Sequence, residues 1–146
     1  MTAYSVVAAL ALAASSAGAQ GILTVSGSPA PMRVSAAAAG LAPTPVTDNS
    51  TTYYILSAPV VGQRITAQLD ASMPVGVTLT VRLDAPMLAT SAGAVSLDTT
   101  PREVVSGVGV NVEGTFSITY TLSATVQAGV VPPQSRTVTL TIVAGV

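Results

Sequence analysis

The chain has 146 residues, enough for one domain and short for two, and a chain of that size buries enough surface to fold without a covalent staple. It lacks cysteine, histidine and lysine, which excludes disulfides, Ser–His, Cys–His and Ser–Lys nucleophiles, and the imidazole and thiolate ligands favoured by zinc, copper and iron. Charged residues are 8% of the chain against about 25% in a typical soluble domain, and the net charge of −1 gives copies of the chain little mutual repulsion.

The first stretch, "MTAYSVVAALALAASSAGAQ", reads as an export signal over residues 1–19. Val6 to Ala14 is a short apolar run, and Ala17-Gly18-Ala19 supplies small residues before a cleavage point. The run is shorter than the roughly 20 residues that cross a bilayer. It departs from the usual signal in having no Lys or Arg ahead of it, and an Ala-rich helix of the fold is the alternative. Cleavage would leave residues 20–146, secreted or at the cell surface, with no integral membrane span.

Residues 20–46 form a second segment. "GILTVSGSPAPMRVSAAAAGLAPTPV" has no acidic residue and is broken by Pro29, Pro31, Pro43 and Pro45. Within it Met32, Val34, Ala36 and Ala38 alternate with Arg33, Ser35, Ala37 and Ala39. Two readings follow. The segment is an edge strand of its own sheet, with prolines where pairing stops; or it is a strand donated to a neighbouring copy, which makes Met32, Val34, Ala36 and Ala38 the subunit-contact residues.

Residues 47–146 are dominated by period-2 alternation. The turn-prone "TDNST" precedes a short run, Tyr53 to Leu56. "RITAQLD" puts Ile65, Ala67 and Leu69 opposite Arg64, Thr66, Gln68 and Asp70. After "ASMP", "GVTLTVRLD" puts Val77, Leu79, Val81 and Leu83 opposite Thr78, Thr80, Arg82 and Asp84. Weaker strands are predicted near Ala94 to Leu97 and Val104 to Val112. Two long runs close the chain: Phe116, Ile118, Tyr120 and Leu122 against Thr115, Ser117, Thr119 and Thr121, then Val138, Leu140 and Ile142 against Thr137, Thr139 and Thr141. Threonine suits a solvated strand face because its branched carbon favours extended backbone while its hydroxyl meets water. Only "SAAAAG" at 35–40 tolerates a helix. The pattern predicts an all-β antiparallel sandwich of about seven or eight strands. An outer-membrane barrel needs aromatic girdles, and aromatics are 3% of this chain.

Chemistry is sparse. A carboxylate pair of glycosidase type is formally open to the six acidic residues, but scattered as they are they read as solvated strand ends. Calcium would take oxygens from Asp48 with Asn49, or Asp98 with Glu103, yet no D-x-D-x-D-G loop is present. "GVGVNVEG" at 107–114 lacks the third glycine of a phosphate loop and has no helix after it. Asn49-Ser50-Thr51 is a formal glycosylation sequon within a loop-like stretch. Five scattered arginines make no basic stripe, so no nucleic acid is expected. No enzyme activity, cofactor, metal or small-molecule substrate is predicted.

From about Arg64 onward, "RITAQLDASMPVGVTLTVRLDAP", "SAGAVSLDTTPREVVSGV" and "ITYTLSATVQAGVVPPQSRTVTLTI" resemble exported bacterial Ig-like or fimbrial-type β-sandwich proteins. The resemblance implies such a sandwich and export, and carries no site residue. Two functions are consistent with these features. One is a structural subunit of an extracellular pilus-like filament or surface layer, whose partner is itself. The other is a monomeric secreted or periplasmic binding module for a glycan or cell-envelope partner, using loops at Asp48 to Tyr54 and Leu97 to Arg102, with Tyr53 and Tyr54 as stacking groups.

Overall fold

A computed structural model describes residues 4–9, 21–35 and 40–145. The strands are β1 (Tyr4–Ala9), β2 (Ile22–Ser26), β3 (Val46–Leu56), β4 (Gln63–Leu69), β5 (Val77–Leu83), β6 (Thr90–Ser91), β7 (Val95–Ser96), β8 (Arg102–Val108), β9 (Glu113–Ala124) and β10 (Gln134–Val143). They make two five-stranded sheets, ordered β1-β10-β4-β8-β6 and β2-β3-β9-β5-β7. Every pairing is antiparallel except that of β1 with β10. The chain is therefore all-β, with two sheets stacked on one core. It has ten described strands where about seven or eight are expected from the alternation. Part of the difference is β6, two residues long and too short to show a period, whereas the equally short β7 falls on the strand expected near Ala94 to Leu97.

The alternating runs place their apolar phases inward. Ile65, Ala67 and Leu69 of β4, Val77, Leu79, Val81 and Leu83 of β5, Ile118, Tyr120 and Leu122 of β9, and Val138, Leu140 and Ile142 of β10 are all buried in one cluster. Each valine, leucine or isoleucine among them contributes about 1.5–3 kcal/mol over exposure. Threonines and serines occupy the outer phase, where Thr47 and Thr121 hydroxyls lie 3.2 Å apart and Thr80 Oγ1 donates to Thr121 O at 3.4 Å.

Three local features differ from the sequence expectation. "TDNST" is a bulge within β3, between Asp48 and Thr51, and the strand continues through it for eleven residues. The Asp48 carboxylate makes this possible: Oδ1 accepts from Ser50 N (3.0 Å) and Ser50 Oγ (2.8 Å), and Oδ2 accepts from Ala30 N (3.2 Å). Local side-chain bonds that usually stabilise a turn here stabilise a kink in a paired strand. Second, β8 begins at Arg102 and ends at Val108, because the left-handed Asn111 (φ 52) turns the chain before β9. The β4–β8 register also shifts between Ile65 and Thr66, and Val104 and Val105 are consecutive and both buried. Third, Tyr4–Ala9, within the predicted leader, forms a strand parallel to β10, with Tyr4 opposite Gln134 and Ala9 opposite Thr139. The rest of the leader, including Ala17-Gly18-Ala19, lies outside the described residues, as do Ala36 to Ala39 of the "SAAAAG" piece.

Candidate interaction surface

Six of the eleven charged side chains form three exposed local pairs. Arg102 donates to both carboxylate oxygens of Asp98, four residues earlier, with Nε–Oδ1 at 3.2 Å, and Thr100 N donates to Oδ1 at 2.8 Å. The hydrogen bond from Arg102, then that from Thr100, holds the Asp98 carboxyl below its ordinary range. Arg64 lies 3.7 Å from Glu103, and Arg82 lies 3.9 Å from Asp84. Exposed pairs of this kind contribute about 0–1 kcal/mol each. Partial burial of Asp48 would raise its pKa, but the bonds from Ser50 and Ala30 outweigh that and lower it. Among the described residues no three His, Cys, Asp or Glu side chains gather closely enough to hold a metal ion, and no helix is long and apolar enough to cross a membrane. A shallow groove of about 360 Å³ on the outer face of the first sheet is lined by Arg64, Thr66, Gln68, Glu103 and Thr141, with Pro101 and Val143.

The two stacking tyrosines suggested for a glycan loop are not both available, which corrects that expectation. The bulge keeps β3 in the sheet, so Tyr53 points inward, fully buried, and its hydroxyl donates to Asp84 O at 2.6 Å. Tyr54, on the opposite phase, donates to Glu113 Oε1 at 2.9 Å. Of the candidate contact residues, Met32 is buried in the core of its own chain and Val34 packs half-buried against that core. Ala36 and Ala38 lie outside the described residues.

What the fold assembles instead is an asymmetric, charge-poor surface. Where the sheets stack, β2 lies against β10 and β5 against β8. One flank of the sandwich thus carries β1 and β2 as its outermost strands, and the other carries β6 and β7. A two-residue edge strand offers almost nothing for another chain to pair with. By contrast, "YSVVAA" of β1 and "ILTVS" of β2 contain no charge and no proline, the usual guards of an exposed edge.

The two ends differ from the flanks. At one end the β3–β4 loop meets the β8–β9 turn. Ser57 joins them: its Oγ donates to Gly109 O and accepts from Val112 N, both at 2.7 Å, and its N donates to Val112 O at 2.8 Å. Gln63, 2% exposed, braces the loop: Nε2 donates to Ala58 O and Val60 O at 3.0 Å, and Oε1 accepts from Ala58 N at 3.3 Å. Neither residue stands out from local sequence, although Gln63 extends the inward phase of Ile65, Ala67 and Leu69 and is the one polar member of it. At the far end the β4–β5 loop meets the β9–β10 loop, where Thr125 N donates to Gly76 O at 2.8 Å and Arg136 Nε and Nη2 reach Ser72 O at 3.1 and 2.9 Å. Gly76 is left-handed (φ 79), and a Cβ there would lie 2.8 Å from Ala128 N and Thr125 Oγ1.

No protein-family model matches this sequence, and no curated protein matches it either.

Proposed function

We propose that the protein is a non-enzymatic structural subunit of an extracellular filament or surface layer, whose copies associate through β-strand contacts. The observation that carries this reading is the unguarded flank. β1 and β2 present uncharged, proline-free edges on one side, while β6 and β7 blunt the other. Removal of residues 1–19, which the leader reading requires, would make β10 the edge of its sheet; it is ten residues long and its one charge is Arg136. Main-chain hydrogen bonds along such an edge supply affinity with little need of side-chain recognition. The sparse charge of the chain removes the repulsion that keeps ordinary soluble domains apart. Burial of Met32 in its own core favours the intramolecular role for that segment over donation.

Lysine on an exposed strand blocks edge pairing without touching the core. Thr24 and Ser26 are exposed on β2, so Thr24→Lys combined with Ser26→Lys tests the reading. Electron microscopy and light scattering of the wild-type chain should show filaments or sheets, and the double variant should have lost the association that runs through β2, leaving at most pairing at the β1/β10 edge. A wild-type protein that stays monomeric at every concentration refutes the assignment.

A further inference from the structure

The groove on the outer face of the first sheet is built by side-chain length. On β4 the outward phase reads Arg64, Thr66, Gln68, a short side chain between two long ones. Alternate strand residues stand about 6.6–6.8 Å apart, so the long pair rises roughly 13 Å apart with the threonine between them. Thr141 of β10 lies opposite Thr66 on one side and extends the floor, and Glu103 of β8 lies opposite it on the other. Val143 stands opposite Arg64 and supplies an apolar wall. The enclosed volume of about 360 Å³ falls within the ~300–1,000 Å³ of small-molecule sites.

The fold leaves the polar groups of this trough largely unused. Arg102 spends its guanidinium on Asp98, and Arg136 spends its own on Ser72, Ser135 and Gln134. Arg64 differs. Its Nε is buried with no hydrogen-bond partner among the described residues, and its Nη1 stays 3.7 Å from Glu103 Oε2, outside hydrogen-bond range. A buried donor without a partner is unfavourable, and a ligand oxygen reaching it would relieve that. The Arg64 and Glu103 side chains are 40% and 46% exposed, so a ligand can meet both. The Thr66 hydroxyl is only 3.5 Å from its nearest acceptor, Thr141 O, and is open to a better one.

The charges select the ligand. A cation beside an anion leaves the trough with no net charge, so Glu103 repels a simple anion and Arg64 repels a simple cation. A molecule with a carboxylate and an ammonium on one carbon carries the complementary dipole. Its carboxylate suits the planar guanidinium fork, and its ammonium suits Glu103. We infer that the trough at Arg64, Thr66 and Glu103 is a binding site for an amino-acid zwitterion. Contacts this exposed give modest affinity. The site is independent of the assembly reading, because it lies on a sheet face and strand pairing uses the flank.

The test is a titration of the full chain with L-alanine, followed through the backbone amide resonances of β4 and β8. Saturable shifts centred on Arg64, Thr66 and Glu103 are expected. Acetate and methylammonium, each carrying one half of the dipole, should bind at least about tenfold more weakly, as expected for loss of one charge-assisted hydrogen bond. Arg64→Gln and Glu103→Gln should each weaken alanine binding by a similar factor. Thr66→Gln, which fills the floor with a third long side chain, should abolish it. Arg82→Gln, on the other sheet, should leave it unchanged, and circular dichroism melts confirm that each variant folds. No saturable shift with L-alanine, equal binding of acetate or methylammonium, or alanine binding that survives Thr66→Gln each overturns the assignment. Saturable binding of glucose in place of alanine, lost in the same variants, would make the trough a sugar site and overturn it as well.

Discussion

Tyr53 and Tyr120 are both fully buried in the second sheet, and the same substitution at each should have opposite effects. The Tyr53 hydroxyl donates to Asp84 O at 2.6 Å. Tyr53→Phe removes a short buried bond and leaves a carbonyl unpaired, at a cost of about 1–2 kcal/mol. The Tyr120 hydroxyl is buried with no hydrogen-bond partner among the described residues. Burial first, and then the charge on Asp48, raise its pKa, so the group stays neutral. A neutral hydroxyl desolvated without a partner costs about 1–3 kcal/mol, so Tyr120→Phe should be neutral or stabilising by about 1 kcal/mol. The two variants should then differ by about 1–3 kcal/mol. At about 2–4 °C per kcal/mol for a chain of this size, that separates their Tm values by roughly 2–12 °C. Guanidinium titration with an unchanged m-value would show that the difference is one of stability and not of compactness. If Tyr120→Phe loses as much as Tyr53→Phe, its hydroxyl makes a bond in solution and the reasoning fails.

Replacing Gln63 with Leu keeps the volume but leaves Ala58 N and Val60 O without their partner and Ala58 O with only the 3.5 Å bond from Asn111 N, so a loss of about 2–4 kcal/mol is expected by denaturant titration. Gly76→Ala forces a left-handed alanine whose Cβ meets Ala128 N at 2.8 Å; a melt should show a loss of about 2–4 kcal/mol, whereas alanine at Gly93, left-handed with nothing nearby, should lose only about 1 kcal/mol. Asp48 has its carboxyl held below the unfolded value of 3.8, so its contribution is present above that pH and is lost as pH falls through the lower native value. Melts recorded from about pH 5 down to pH 2 should show this acid limb, and Asp48→Asn should reduce it to the share that Asp98 carries while lowering stability at neutral pH.

Most of the core was legible in the sequence because a buried strand writes its face into every second residue. Ile65 to Leu69, Val77 to Leu83, Ile118 to Leu122 and Val138 to Ile142 alternate in the chain and are buried in the fold on the same phase. The absence of histidine, cysteine and lysine likewise removed whole classes of chemistry before any contact was considered. Local signals failed where a distant partner outweighs them. "TDNST" has the composition of a turn, yet β9 pairs with it on both sides of the bulge, and Asp48 holds the kink with bonds that include one to Ala30, eighteen residues away. Tyr53 and Tyr54 look equivalent as neighbours in a loop; a continuous strand sends one into the core and leaves the other half-exposed on the outer face.

The surface required the tertiary structure altogether. Composition determined that it would be poor in charge, and alternation determined that hydroxyls would cover the outer faces. Which strands lie at an edge follows from pairing across the whole chain: β2 and β10 share a flank because the sheets stack that way, and no property of "ILTVS" alone places it there. The same holds for the ends. Val75 and Val126 are ordinary valines fifty-one positions apart in sequence, and they share one end only because Gly76 packs against Thr125 and Ala128. A largely apolar depression at the opposite end is built from residues drawn from β2, β3 and the β8–β9 turn. Sequence determined what each strand buries; long-range pairing decided what the folded chain leaves uncovered.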